Sequence, residues 1–249
     1  RIIRLTSGDL AFNNIGRVLL NAGQGVIGEG TGRVGAQNEM IVQSPLVTGG
    51  AGSVRSLTAA GQLSVTGNGP AGSGVTPGLG ATLTLSGQQA SVGSSIVLPS
   101  GLLSVAATSG DLAINGILDV SGQARIFYDV TRYTDAGSIR LSATEGNVLL
   151  GGSSVVRVSG AAGGGNAGSL TISNPRGTFS PGGILSGTPG AGGTAGTFQL
   201  DTRTLATTAS LSAALTHAGL TGGQNIRVRS GNVLVDGPAV AREDRKSVV

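Results

Sequence analysis

Several residue types are scarce in this 249-residue chain. It has no Cys, no Trp, one Met, one His and only six aromatic residues, and Lys246 is its single lysine. The absence of cysteine excludes a disulfide framework and, with one histidine, a zinc site built from His and Cys. So few rings also exclude a core filled by large aromatic side chains, which leaves aliphatic residues to form it.

Charge and long apolar runs are scarce as well. Charged residues make up 11% of the chain and the net charge is +4. This excess of basic residues is too mild to indicate nucleic-acid binding. No apolar run approaches the ~20 residues of a membrane span, so we expect none.

Glycine is abundant instead, with 46 residues. It has no three-residue period, which excludes collagen. The Val, Ile and Leu residues follow an ordered alternation, which is the reverse of the composition of a disordered segment. The glycine therefore belongs to turns between short strands.

The clearest unit of that alternation spans 137–187. It contains the runs GSIRLSATEGNVLLGGSSVVRVSG and GSLTISNPRGTFSPGGILSG, separated by AAGGGNA. Each run alternates apolar and polar residues with a period of two, which indicates strands with one buried face. Three such strands in one repeat predict one coil of a β-solenoid.

The preceding segment aligns with this unit. Leu103, Val105 and Ala107 match Ile139, Leu141 and Ala143. Leu112 and Ile114 match Val148 and Leu150, and Leu118 and Val120 match Val156 and Val158. Three insertions, 123–136, 161–167 and 188–195, each follow a Ser-Gly pair and precede the next Gly-Ser or Gly-Thr. We therefore expect all three at one corner of the coil.

Other segments are less regular. Residues 21–50 predict a looser coil, and 67–81 a Gly/Pro loop that interrupts the ladder. The segment 123–136 predicts an extra strand pair or a side loop. The spacing of Leu205, Leu211 and Leu215 predicts a short flanking helix near 207–218, with Thr207 or Thr208 as N-cap and Gly219 as its stop. Alternating strands return over 225–237.

These patterns predict an all-β fold, a parallel β-helix that forms a single repeat region over 1–243. Residues 244–249 read as the translation of a sequencing adapter and are excluded from the fold. Because Arg1 begins within a strand and no initiator Met or signal peptide precedes it, we expect the chain to be an internal fragment of a longer protein.

The run from Gly137 to Phe179, followed by GTFQLDTRTL, a short helix and IRVRSGNVLVDG, resembles large filamentous-haemagglutinin-like exoproteins. These are the secreted partners of bacterial two-partner secretion systems. The resemblance covers about residues 101–237. It implies a right-handed parallel β-helix, passage through an outer-membrane transporter that recognises an N-terminal domain not seen here, and work as a surface or secreted adhesin. The implied partners are that transporter and a host-cell or surface receptor, possibly a carbohydrate.

Few residues suggest a binding site or chemistry. Phe127, Tyr128, Arg132 and Tyr133 form the one aromatic-basic cluster, which is either a receptor contact or a covering loop. Among the carboxylates, Asp111, Asp119 and Glu145 could serve acid–base work on a polysaccharide, although the contexts of Asp111 and Glu145 favour turns.

Other motifs favour a structural interpretation. Gly163, Gly165 and Gly168 satisfy G-x-G-x-x-G, but a strand-forming segment follows where a nucleotide fingerprint needs a helix. His217 has no supporting triad motif. No cofactor or metal is expected.

Three functions remain open from the sequence. The first is a non-enzymatic stalk of a secreted adhesin. The second is a β-helix enzyme that degrades polysaccharides. The third is the shaft of a contact-dependent inhibition protein that delivers a toxin, which would share the same repeat region.

Overall fold

The structure is a computed structural model that describes residues 1–70, 72, 74–205 and 208–234. The adapter-like tail 244–249, Thr207 and the end of the last predicted strand lie outside the described residues. Within the described residues, no helix has the length and apolar character needed to cross a bilayer.

Short strands make up about half of the described residues. In order they are β1 (Ile2–Leu5), β2 (Leu10–Phe12), β3 (Arg17–Asn21), β4 (Gly25–Gly28), β5 (Thr31–Ala36), β6 (Glu39–Gln43), β7 (Leu46–Gly49), β8 (Val54–Ala59), β9 (Leu63–Thr66), β10 (Thr82–Gly87), β11 (Ala90–Val92), β12 (Ser95–Val97), β13 (Leu102–Ala107), β14 (Leu112–Ile114), β15 (Ile117–Asp119), β16 (Ala124–Phe127), β17 (Val130–Tyr133), β18 (Ser138–Ala143), β19 (Val148–Leu150), β20 (Val155–Arg157), β21 (Ser169–Pro181), β22 (Ile184–Ser186), β23 (Thr197–Thr204) and β24 (Gly223–Val228). One helix, α1 (Ala209–His217), lies between β23 and β24.

The strands stack into three parallel sheets. Sheet I has the order β1-β4-β7-β12-β15-β20-β22. Sheet II runs β2-β5-β8-β10-β13-β18-β21-β23-β24, and sheet III runs β3-β6-β9-β11-β14-β19-β21. The long strand β21 turns from sheet II into sheet III. Each regular coil visits the three sheets in that order, which confirms the parallel β-helix.

The predicted register is also confirmed. Leu103 pairs with Ile139, Leu112 with Val148 and Leu118 with Val156. Because every second side chain points inward, these pairs form continuous aliphatic columns in one main core cluster. Each buried aliphatic side chain contributes roughly 1.5–3 kcal/mol. Residues 21–50, expected as a looser coil, instead form β4 to β7 in regular pairing.

All three insertions lie at the corner between sheets I and II, as predicted, because they follow β15, β20 and β22. The first contains an extra strand pair, the hairpin β16–β17. The loop 67–81 behaves differently, since it takes the place of a sheet I strand and lets β7 pair directly with β12. Its Val75 packs with Ile27 and Leu46 on the outer face of sheet I.

The helix α1 is present where it was expected, and it closes the core instead of lying against the outside of a sheet. Leu211 and Leu215 are buried within the main core cluster. Thr208 is the N-cap residue, without a side-chain capping bond. The helix stops at Gly219, which has a φ of 74° and whose neighbour Leu220 donates its N–H to the Leu215 carbonyl at 3.0 Å.

Candidate functional site: the corner hairpin and the polar ladders

The hairpin β16–β17 is the part of the chain that departs most from the stack. Its strands pair antiparallel, with Ala124 opposite Tyr133 and Phe127 opposite Val130, and they form a sheet of two strands only. Tyr128 and Asp129 make the turn, and Tyr128 has a φ of 55°. A left-handed conformation at the first turn residue is what a tight hairpin turn requires.

The hairpin exposes large apolar side chains. Ile126 is 76% exposed, Phe127 is 59% exposed, and the Tyr128 side chain at the tip is fully exposed. Val130 and Tyr133 are also exposed. A hairpin of two strands is marginally stable by itself, so its position depends on what holds its base.

The predicted aromatic-basic cluster is divided by the strand register. Residues directly opposite each other share a face, so Arg125, Phe127, Val130 and Arg132 lie on one side of the hairpin. Tyr133 lies on the other side, and Tyr128 is in the turn. Of the four predicted contact residues, the structure therefore places Phe127 and Arg132 together.

Tyr133 fixes the hairpin to the neighbouring insertion. Its ring lies against Gly163, where an added Cβ atom would stand 2.2 Å from the Tyr133 Cζ atom. The glycine is required by this close approach of an aromatic ring. Gly163 and its neighbours therefore form turn structure followed by strand β21, and no helix follows the G-x-G-x-x-G motif.

A ladder of polar side chains holds the base of the hairpin. Asp135 Oδ1 accepts the N–H of Asn166 at 2.7 Å, and Asp135 Oδ2 accepts the Asn166 side-chain amide at 3.2 Å. Asn166 Oδ1 in turn accepts the N–H and the hydroxyl of Thr194, at 2.9 and 3.1 Å. One bonded chain thus links the three insertions in successive coils.

A second ladder has the same residue order at another corner. Asp111 Oδ1 accepts the N–H of Asn147 at 2.7 Å and its side-chain amide at 3.0 Å. Asn147 Oδ1 accepts the N–H and the hydroxyl of Thr178, both at 2.9 Å. The Asp111 carboxylate therefore accepts one backbone and one side-chain N–H from the next coil, whereas its sequence context favoured bonding within a turn.

The other two candidate carboxylates are bound to arginines. Asp119 lies on the outer side of sheet I, 3.6 Å from Arg157, and also accepts the N–H of Ser121 at 2.9 Å. Glu145 makes an ion pair with Arg176. Asp111 immediately precedes β14 of sheet III, whereas Asp119 lies in β15 of sheet I. The two carboxylates therefore do not share one face of a strand.

The sequence interpretation overlooked the ladder residues Asp135, Asn147, Asn166, Thr178 and Thr194. A signal was present in the aligned repeats. Asp, Asn and Thr follow a glycine in GDL, GNV and GTF, and they precede Ala-Gly in DAGS, NAGS and TAGT. When coils stack, side chains at equivalent positions lie next to each other, so an acceptor in one coil can meet a donor in the next. Asp, Asn and Thr can supply these acceptors and donors.

Electrostatic coupling is clearest at the last coil. Arg229 donates to both carboxylate oxygens of Asp201, at 2.6 and 2.7 Å. These bonds lower the pKa of Asp201 below its usual value, against the opposing effect of partial burial. Asp201 lies in β23 and Arg229 directly follows β24, so this ion pair links the two neighbouring strands and has a structural role.

In the part of the chain that the structure describes, no three His, Cys, Asp or Glu side chains come close enough to hold a metal ion. His217 occupies the last turn of α1.

Comparison with protein-family models, with curated proteins and with solved structures finds no match for this chain.

Proposed function

We propose that this chain is a shaft segment of a secreted or cell-surface filamentous adhesin, exported by a two-partner system through an outer-membrane transporter. The observation that carries the proposal is the stack itself. Nine strands of sheet II follow one another in parallel pairing, from β2 to β24. At ~4.8 Å between neighbouring strands this sheet is about 40 Å long.

Such a stack produces length and stiffness. Each coil is stabilised by its neighbours, and its backbone groups pair with the coils before and after it. The two Asp-Asn-Thr ladders add side-chain bonds between coils at the corners. Because most inward positions are aliphatic and the Asp, Asn and Thr residues of the two corner ladders are bonded, the molecule is suited to holding binding elements at a distance from a surface.

The arrangement of carboxylates favours this function over the polysaccharide-degrading alternative. Acid–base hydrolysis needs two carboxyl groups facing one substrate bond. Asp111 accepts two bonds from Asn147, and Asp119 lies beside Arg157 on a different sheet. The two carboxylates therefore do not face one common cleft, which the enzymatic hypothesis requires.

An export experiment tests the proposal. The chain is fused between the secretion domain of a two-partner exoprotein and a C-terminal epitope, in cells with the matching transporter. We expect the epitope to reach the cell surface and residues 1–234 to become resistant to protease. A strain without the transporter is the control.

Retention of the fusion inside transporter-positive cells would contradict the proposal. So would turnover of an acidic polysaccharide by the purified chain that disappears in Asp111→Asn or Asp119→Asn. In that case the enzymatic function would replace the shaft.

A further inference from the structure

The hairpin concentrates exposed apolar side chains, which elsewhere in the described chain are scattered, as at Leu19 and Ile184. Its five exposed apolar or aromatic residues are consecutive or nearly so, whereas strands such as β13 and β18 alternate buried and partly exposed positions. It contains both tyrosines of the chain. A cluster of exposed apolar groups on a small projecting element indicates an interaction surface.

The charge on one hairpin face indicates which partner fits. Arg125 and Arg132 are directly opposite each other across the strand pair. Like charges in that position destabilise a sheet. Among the described residues, neither arginine has a carboxylate within ion-pair distance. The Nε atom of Arg125 is also buried without a hydrogen-bond acceptor.

An anion placed between the exposed ends of the two guanidinium groups would offset this charge repulsion. Guanidinium groups donate pairs of hydrogen bonds to planar carboxylates and to sulfates or phosphates. Phe127 lies on the same face, nearer the tip, and provides an apolar ring beside the two charges. The face therefore has two guanidinium groups that can donate hydrogen bonds to acidic groups of a ligand. Beside them is an aromatic ring that can pack against the C–H groups of that ligand.

We propose that the face formed by Arg125, Phe127, Val130 and Arg132 binds an acidic polysaccharide. The guanidinium groups hold carboxylate or sulfate groups, and Phe127 packs against a sugar ring. Asp129 lies in the turn, whereas the two arginines lie nearer the base of the hairpin, so a flexible polysaccharide chain can reach them while a flat anionic membrane would meet the Asp129 end first. The proposal deepens the proposed function, since it rests on the idea that the shaft presents binding elements.

The test uses the whole chain, immobilised, with three soluble probes: polygalacturonate for carboxylates, dextran sulfate for sulfates and neutral dextran. We expect binding to at least one acidic probe and none to neutral dextran. The variant Arg125→Gln/Arg132→Gln should weaken binding about tenfold or more, because it removes charge-assisted hydrogen bonds. Raising the salt concentration should weaken the wild-type complex as well.

Arg140→Gln is the matched control. Arg140 is exposed on the outer side of β18, outside the hairpin, so its loss should leave binding unchanged. Equal losses in Arg140→Gln and the double variant would overturn the proposal, because the attraction would then be general. Binding that is retained in the double variant, or seen only with vesicles of anionic phospholipid, would also overturn it.

Failure of this proposal can be separated from failure of the shaft proposal. Replacing the hairpin residues 124–133 by Gly-Asn-Gly should abolish binding but leave thermal unfolding and export of the fusion unchanged. Loss of export or of cooperative unfolding in the wild-type chain would count against the shaft, whatever the binding result.

Discussion

The two ends of the stack are built differently. At the N-terminal end, β1 to β3 form the first coil, and no further coil of the described chain stacks on its outer side. Leu10 is 51% exposed there although its partner in the next coil, Val34, is buried. At the C-terminal end α1 crosses the core, and Leu215 is fully buried. The same alternation of inward-pointing residues therefore leaves the coil of β1 to β3 uncovered, which we call the open end, while α1 covers the core at the closed end.

The difference shows that alternation alone does not bury a side chain. An inward-pointing residue is removed from water only when a coil or a cap lies on each side of it. The closed end has a helix whose leucines continue the core. The open end has Arg55, which occupies an inward position beside Leu83 and extends toward the first coil.

The largest expected effect is at the closed end. Leu215→Ala leaves a cavity in the core, so we expect the free energy of unfolding to fall by about 2–5 kcal/mol. Alanine favours the helix, so the loss reports packing. The matched variant Leu10→Ala at the open end should change it by only about 0.5 kcal/mol or less. Urea unfolding measures both, and equal losses would show that the ends do not differ.

A smaller, local effect is expected for Arg55→Leu. Arg55 is only 4% exposed, and its Nη1 atom donates to the Thr6 carbonyl at 2.7 Å. Gly32 leaves room for it, since an added Cβ would lie 2.3 Å from Nη1. Leucine suits the core but removes this bond from a charged donor, which contributes roughly 1.5–3 kcal/mol.

Hydrogen exchange locates that effect. Amides of β1 and β2 should exchange about tenfold faster or more in Arg55→Leu, whereas those of β13 and β18 should not change. Arg140→Leu is the control, since that arginine points outward. Faster exchange throughout the stack would contradict the idea that Arg55 anchors only the open end.

The smallest effect concerns the ion pair at the closed end. Because Arg229 lowers the pKa of folded Asp201, the pair stabilises the fold above the usual aspartate pKa of about 3.9. That contribution is lost as the pH falls through the lower folded value. Asp201→Asn should therefore cost at most about 1 kcal/mol at pH 7, with the difference disappearing in strong acid.

Thermal unfolding of wild type and Asp201→Asn across pH 2–7 measures this difference, and ~1 M NaCl should reduce it. A difference that persists at the acid end of the range would show that the variant acts through packing and not through charge.

Much of the fold could be predicted because the repeats encode it locally. The pairs Leu103–Ile139 and Leu112–Val148 follow from aligned alternating runs, and insertions can enter only at turns. The position of α1 could not be read in the same way. The spacing of Leu211 and Leu215 predicts a helix with one apolar side. That side could pack equally well over the end of the core or against the outer face of a sheet.

Less of the candidate site could be predicted from the sequence. The residues 127–133 were recognised as aromatic and basic, yet only the pairing of Phe127 with Val130 and Arg125 with Arg132 shows which side chains share a face. A two-residue turn fixes that register. The ladders were missed because Asp135 and Asn166 are 31 residues apart and meet only when coils stack.

By itself, the sequence determined that this protein is a stack of short parallel strands with aliphatic columns and insertions at one corner, because period-two alternation acts within each strand. Only the tertiary structure decided that α1 covers the core at the C-terminal end, how Asp111 and Asp135 are bonded, and which face carries two arginines with no ion-pair partner among the described residues. Those features depend on contacts between residues distant in the chain, and local patterning does not specify them.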